Sequence, residues 1–160
     1  MLHAKQLGKL MAQKNIRLIY GGGNSGLMGA VSGAVMENAG EVVGIIPEVL
    51  TGWERQHDGI TELIVVENMH IRKRMLYEKC DAAIILPGGF GTLDELFEML
   101  TWNQLSIHDK PIYVINSGGF YNTLLQHMQT MMQEGFLYHL PADAFTLLND
   151  PEELFEEHFN

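Results

Sequence analysis

Positive charge is scarce in this sequence: ten lysines and arginines stand against twenty aspartates and glutamates, a net charge of −10. A nucleic-acid binder generally shows a basic stripe, and none is visible, so no nucleic-acid partner is expected. An anionic ligand would have to be held by local dipoles and a few placed cations, not by the field of the whole molecule. Cysteine is nearly absent. Cys80 stands alone, so no disulfide can form within the chain, and a reducing, cytoplasmic setting is expected. Lying between a helical stretch and an apolar strand, Cys80 reads as a small core residue. No apolar run approaches the roughly 20 residues that span a membrane, and no secretory leader is visible, so no membrane partner is expected. The seven histidines show no metal-ligand spacing, and neither a metal nor a cofactor is expected.

What is present is a globular composition, 46% hydrophobic over 160 residues, enough for a single domain, 1–160, with its own core. Residues 1–15 read as a polar helix with Leu2, Leu7, Leu10 and Met11 on one side. Apolar strands follow at 16–20, 42–46, 61–66, 82–86 and 111–115, with a last short piece at 145–148. Helical stretches at 27–39, 69–79, 92–105 and 121–134 alternate with them, Gly40 closes the first of these, and an acidic helix opens at Asp150-Pro151. Strands apolar throughout, alternating with helices, imply parallel strands covered on both faces: an α/β, Rossmann-like, doubly wound sheet. Such sheets bind ligands at the carboxyl ends of their strands. Two glycine-rich loops lie there.

The first, Gly21-Gly22-Gly23-Asn24-Ser25-Gly26, matches G-x-G-x-x-G between a strand and a helix. It suits either phosphate contact at the helix N-terminus or simply a tight turn with close helix–sheet packing. No convincing acidic residue follows about 20 positions on, which argues against a dinucleotide site. The second, Pro87-Gly88-Gly89-Phe90-Gly91-Thr92-Leu93-Asp94-Glu95, is more specific. Three glycines expose backbone N–H groups, and Thr92 can cap the next helix and offer a hydroxyl to phosphate. Thr92 and Glu95 have the spacing of a capping box, so Glu95 could be no more than a cap. The loop lacks the Lys-Ser/Thr pair that handles β and γ phosphates, which suits a monophosphate better than a triphosphate.

Between the loops, Met69-His70-Ile71-Arg72-Lys73-Arg74 opens a helix with three cations in succession. Arg72 can clamp phosphate bidentately and Lys73 supplies a point charge. The alternative is a solvated helix face, with Arg74 pairing to Glu78 four residues on. His70 could serve as a general acid or base.

Taken together, Tyr20-Gly21-Gly22-Gly23 with Gly26-Leu27-Met28-Gly29, Met69-His70 with Arg72-Lys73, and Pro87-Gly88-Gly89-Phe90-Gly91-Thr92 ending in Glu95 resemble the LONELY GUY family of cytokinin riboside 5′-monophosphate phosphoribohydrolases. The resemblance continues through Thr101-Trp102, His108-Asp109-Lys110-Pro111 and Glu134-Gly135-Phe136, nearly the whole chain. It implies a Rossmann-like fold, a homodimer, and release of an adenine-type base and ribose 5-phosphate from a nucleoside monophosphate. It implies that Arg72 and Glu95 are the essential pair. Substrate contacts are implied for Lys73, Gly88, Gly89, Phe90, Gly91, Thr92, Glu54 and Thr101, and for Gly22, Gly23 and Met28 of the first loop and its helix. Relatives are often labelled lysine decarboxylases, but no lysine here sits in a recognisable pyridoxal-phosphate context. The family begins with a strand and a Gly-Ser-Ser turn ahead of its first helix. This sequence starts within that helix, so a strand central to the family's sheet is expected to be missing.

Cleavage of an N-ribosyl bond builds positive charge on the sugar and negative charge on the base. A carboxylate near the anomeric carbon meets the first need, and Glu95 is the candidate; Arg72 suits the phosphate or the departing base. Two rivals stand beside this expectation. One is a carrier of the same fold that holds a nucleotide or pterin-type cofactor without turnover. The other is an NAD(P)-dependent oxidoreductase, supported by the first loop alone.

Overall fold

The computed structural model describes residues 1–51, 59–137 and 141–159, with the side chains of 141 and 142 left aside. Two compact units make up the chain: 1–80 together with the last residues, and 81–157.

In the first unit, α1 (Leu2–Gln13) is followed by β1 (Leu18–Tyr20), α2 (Gly26–Glu37), β2 (Val42–Pro47), β3 (Glu62–Val66) and α3 (Met69–Lys79). The three strands form a parallel sheet in the order β1-β2-β3. Leu18 pairs with Val42 and Tyr20 with Gly44; Gly44 in turn pairs with Leu63 and Pro47 with Val66. Every residue of the central β2 is buried, as an apolar run in a covered parallel sheet requires.

The second unit repeats the plan with β4 (Ala83–Ile85), α4 (Phe90–Gln104), β5 (Ile112–Ile115), α5 (Asn122–Gln133), a short α6 (Pro141–Ala144), β6 (Thr146–Leu148) and α7 (Pro151–Glu157). Its parallel sheet runs β4-β5-β6, with β5 central and wholly buried. Asp150 caps α7, its Oδ1 accepting from the amides of Glu152 at 2.8 Å and Glu153 at 3.1 Å. Strands alternating with helices and pairing in parallel are the Rossmann-like α/β arrangement expected, and most element bounds fall within two residues of the sequence-based ones. Cys80 proves half-buried at the end of α3, its thiol near the Tyr77 carbonyl at 3.6 Å.

The buried face of α1 differs from the one expected. Leu2 is 77% exposed, and the helix buries Ala4, Leu7, Gly8, Met11 and Ala12. Small residues are needed there because α1 and α2 cross closely: a methyl at Gly8 would run into the Val31 carbonyl and stand 2.8 Å from the Ala34 Cβ. The end of α2 also departs from expectation. Gly40 was expected to take the left-handed capping position, but Ala39 takes it, at φ +58°. The Gly40 amide donates to the Val35 carbonyl and that of Ala39 to Met36, the paired bonds of a Schellman ending. Gly40 is required for another reason, since a methyl there would lie 2.7 Å from Val35 Cγ1 and 2.8 Å from Ala12 Cβ. Helices α1, α4 and α5 end in the same way through Asn15, Ser106 and Gly135, each with positive φ.

Adjacent positions should therefore respond oppositely. Ala39→Gly relieves a left-handed alanine and is expected to raise stability by about 0.5–1 kcal/mol. Gly40→Ala overfills the contact with α1 and should cost about 1–3 kcal/mol. Urea midpoints of the two variants check both signs.

Candidate active site

In the second unit, the chain leaves β4 through Leu86, Pro87, Gly88 and Gly89 and enters α4 at Phe90. The helix cap is Gly89, with extended backbone, and the first intrahelical bond runs from the Leu93 amide to the Gly89 carbonyl at 3.1 Å. The amides of Phe90, Gly91 and Thr92 therefore stand at the helix start with no carbonyl a turn behind them. Gly88 makes this tight entry feasible. The Thr92 side chain packs onto its Cα, where a methyl would stand 2.6 Å from the Thr92 Cβ. Beneath the loop, the Tyr121 hydroxyl donates to the Leu86 carbonyl at 2.7 Å.

This geometry overturns the capping expectation. Thr92 is the third residue of α4, not its cap, and no acidic residue lies in the first turn. Glu95 thus sits in the second turn, half-buried, where a capping box has no use for it. Phe90 is 94% exposed beside the same loop.

In the first unit, Asn68 caps α3: its Oδ1 accepts from the Ile71 amide at 3.0 Å. One residue further on, Arg72 turns inward. Its Nε donates to the Ile45 carbonyl at 3.1 Å, one residue beyond the last β1–β2 pair, and its guanidinium lies where a Gly21 side chain would be. Arg74 behaves otherwise, pairing with Glu78 at 2.6 Å on the solvent face. Within the basic turn, Arg74 is the solvated-face cation, and Arg72 is drawn to the carboxyl end of the sheet. Lys73 is half-buried beside it and His70 is exposed.

The first glycine loop is largely occupied with its own packing. Gly21 makes room for Arg72; Gly22, at φ +82°, lies against β2, and a methyl on Gly44 would stand 2.8 Å from its Cα. Gly22 and Gly23 are buried, and Met28 is half-buried in the first turn of α2. Thr101, also named by the sequence, lies roughly 9 Å along α4 from Glu95. It faces a different space, a cavity of about 530 Å³ shared with Leu100, Met128, Met131 and Phe145. Glu54 lies outside the described residues. Sequence reasoning missed Asn68 and Tyr121. The first carried a readable signal, a cap residue just ahead of a helix. The second did not, because its contact joins residues 35 apart.

A family model described as "Possible lysine decarboxylase" matches residues 28–158. A rice (Oryza sativa subsp. japonica) protein named "Probable cytokinin riboside 5′-monophosphate phosphoribohydrolase" is 43% identical over 96% of this chain and 63% of its own length. The cytokinin riboside 5′-monophosphate phosphoribohydrolase of Rhodococcoides fascians is 44% identical over 84% of this chain and 68% of its own. The chain thus spans less than two thirds of the rice relative. Among solved structures, the molybdenum cofactor carrier protein of Chlamydomonas reinhardtii superposes with a TM-score of 0.73 at 19% identity, covering 97% of this chain and 83% of that one. The molybdenum cofactor binding protein of Rippkaea orientalis gives 0.70 at 24%, with the same coverage. At such identities the likeness is one of fold. Among the described residues, no helix is long and apolar enough to cross a membrane.

The cap of α3 sets where Arg72 emerges. Asn68→Ala is expected to cost about 1 kcal/mol and Asn68→Asp much less, read from urea midpoints; equal losses would mean the side-chain cap is not what matters.

Proposed function

The chain belongs to the LONELY GUY family, and on that premise we propose that it hydrolyses the N-glycosidic bond of adenosine 5′-monophosphate or its N6-modified forms, releasing free base and ribose 5-phosphate. One observation carries this: α4 starts at Phe90, which relieves Glu95 of a capping role and places that residue in the turn after three helix-start amides. Those amides and the helix dipole suit a 5′-phosphate. In the proposed step the bond from C1′ to the base nitrogen breaks and its electron pair leaves with the base, which takes up a proton. Water supplies the hydroxyl that joins C1′. Glu95 stabilises the oxocarbenium-like sugar or orients that water. Arg72 balances charge on the phosphate or on the departing base. Lys73 and the loop from Gly88 to Thr92 hold the nucleotide, and the exposed Phe90 ring offers an apolar face beside it. The family resemblance adds Glu54, Thr101, Gly22, Gly23 and Met28 as further contacts.

A carrier of the same fold has no need of a carboxylate at the sugar, so Glu95 favours turnover. The same proposal takes the protein to be a cytoplasmic homodimer with no nucleic-acid partner. The exposed Leu105 and Ile107, just past α4, supply apolar surface for a second copy. Sedimentation should give twice the chain mass of 18.0 kDa; a single-chain mass would refute the dimer.

With AMP and N6-isopentenyl-AMP as substrates, Glu95→Gln is expected to lower kcat by about 10²–10⁴ while nucleotide affinity is largely kept. Unchanged kcat would remove Glu95 from the chemistry. Arg72→Ala should weaken both binding and turnover, and unaltered kinetics would leave it a structural residue.

A further inference from the structure

Tyr121 takes no part in the chemistry above, yet the connection from β5 to α5 is built around it. Asn116, 9% exposed at the end of β5, uses its side chain twice: Oδ1 accepts the Tyr121 amide at 2.8 Å, and Nδ2 donates to Asn122 Oδ1 at 2.8 Å. Its own amide donates to the Leu148 carbonyl at 2.7 Å, tying the turn to the end of β6. Gly118 and Gly119, at φ +61° and +76°, let the chain fold back over that side chain. A methyl on Gly119 would stand 2.7 Å from Asn122 Nδ2.

The result delivers the Tyr121 ring, 2% exposed, beneath the neighbouring strand. The β4–β5 ladder ends at Ile85 with Val114, so the Leu86 carbonyl and the Gly88 amide lie beyond it, on either side of a proline that has no N–H to give. The Tyr121 hydroxyl satisfies the first of these, donating to the Leu86 carbonyl at 2.7 Å. Burial raises the phenol above its ordinary value, the Gly88 amide offsetting part of that, so the hydroxyl stays protonated and keeps donating at neutral pH. That hydroxyl therefore fixes the peptide unit leading into Pro87. Gly88, next after Pro87 and covered by the Thr92 side chain, leads straight into the amides at the start of α4.

We propose that Tyr121, locked in place by Asn116, is a positioning residue that sets the second glycine loop for a phosphate group. This rests on that loop being the phosphate site. A loop freed from the hydroxyl would still form, but its amides would no longer point at one oxygen cluster before the ligand arrives, and ordering them would be charged against binding. The penalty falls on ligands carrying phosphate and spares those without it.

AMP and adenosine differ by that group alone, and Tyr121→Phe removes the hydroxyl while keeping the ring. Affinities measured calorimetrically in a Glu95→Gln background, which suppresses turnover, should show AMP weakened about tenfold and adenosine unmoved. In the otherwise wild-type protein, KM for AMP should rise by a similar factor with kcat largely kept. Asn116→Ala, which releases the Tyr121 amide, should give the same split. Losses shared equally by AMP and adenosine, or no loss, overturn the proposal; so does failure of both variants to fold, which would make Tyr121 purely structural. A wild-type protein that binds AMP without releasing base sinks the hydrolase proposal and leaves the AMP-to-adenosine comparison to decide this one. A protein that binds no AMP overturns both.

Discussion

Helix α4 can begin at Phe90 only because Gly88 carries no side chain, so that the Thr92 side chain can close onto its Cα. Everything at the candidate site of the second unit depends on that approach. With a side chain at Gly88 the turn would have to open, and the three amides that start the helix would be separated from the strand end. With the turn closed, those amides follow directly on the parallel strand β4, and Glu95 rises into the second turn. The helix dipole then favours an anion at a helix start whose own first turn holds no acidic residue. An acidic protein with a net charge of −10 needs such a local arrangement to attract a phosphate.

The first unit follows a related logic with a cation in place of amides. Gly21 and Arg72 are complementary: the glycine leaves space, and the guanidinium fills it and bonds the Ile45 carbonyl. That bond, with a second from Nη1 to the Met69 sulfur at 3.9 Å, fixes the orientation of the planar group. Elsewhere Arg17 pairs with Glu41 and Arg74 with Glu78, both at 2.6 Å on the surface, where ion pairs contribute little. The distinction among the described arginines is one of direction: Arg17 and Arg74 face solvent and an acidic partner, and Arg72 faces the carboxyl end of a sheet.

Much of this was legible in the sequence because it is written in local chemistry. Fully apolar strands between helices gave the parallel α/β plan, α3 was bounded correctly at 69–79, and Asp150-Pro151 announced α7. What failed depended on neighbours distant in sequence. Thr92 looked like a cap because Ser/Thr-x-x-Glu is a cap signature, yet the Gly88–Thr92 contact let the helix start earlier. Gly40 looked like the left-handed cap, but packing against Ala12 demanded the missing side chain there and pushed the strained position onto Ala39. Leu2 and Leu10 suggested a leucine face for α1, whereas the close crossing with α2 selected Ala4, Gly8 and Ala12. Arg72 and Arg74 could not be told apart until the end of β2 was placed near one of them. Tyr121 had no signature at all, because its partners belong to another strand.

The most direct measurement is a balance of products from AMP incubated with the wild-type protein in phosphate-free buffer, free adenine against ribose 5-phosphate by chromatography, with adenosine run in parallel. Adenine and ribose 5-phosphate should appear in equal amounts, and adenosine should be cleaved far more slowly, because only AMP carries the phosphate proposed to sit on the amides of the second loop. AMP recovered intact from a folded, nucleotide-binding protein, or adenosine cleaved as readily as AMP, would contradict a phosphate-directed N-glycosidic hydrolysis.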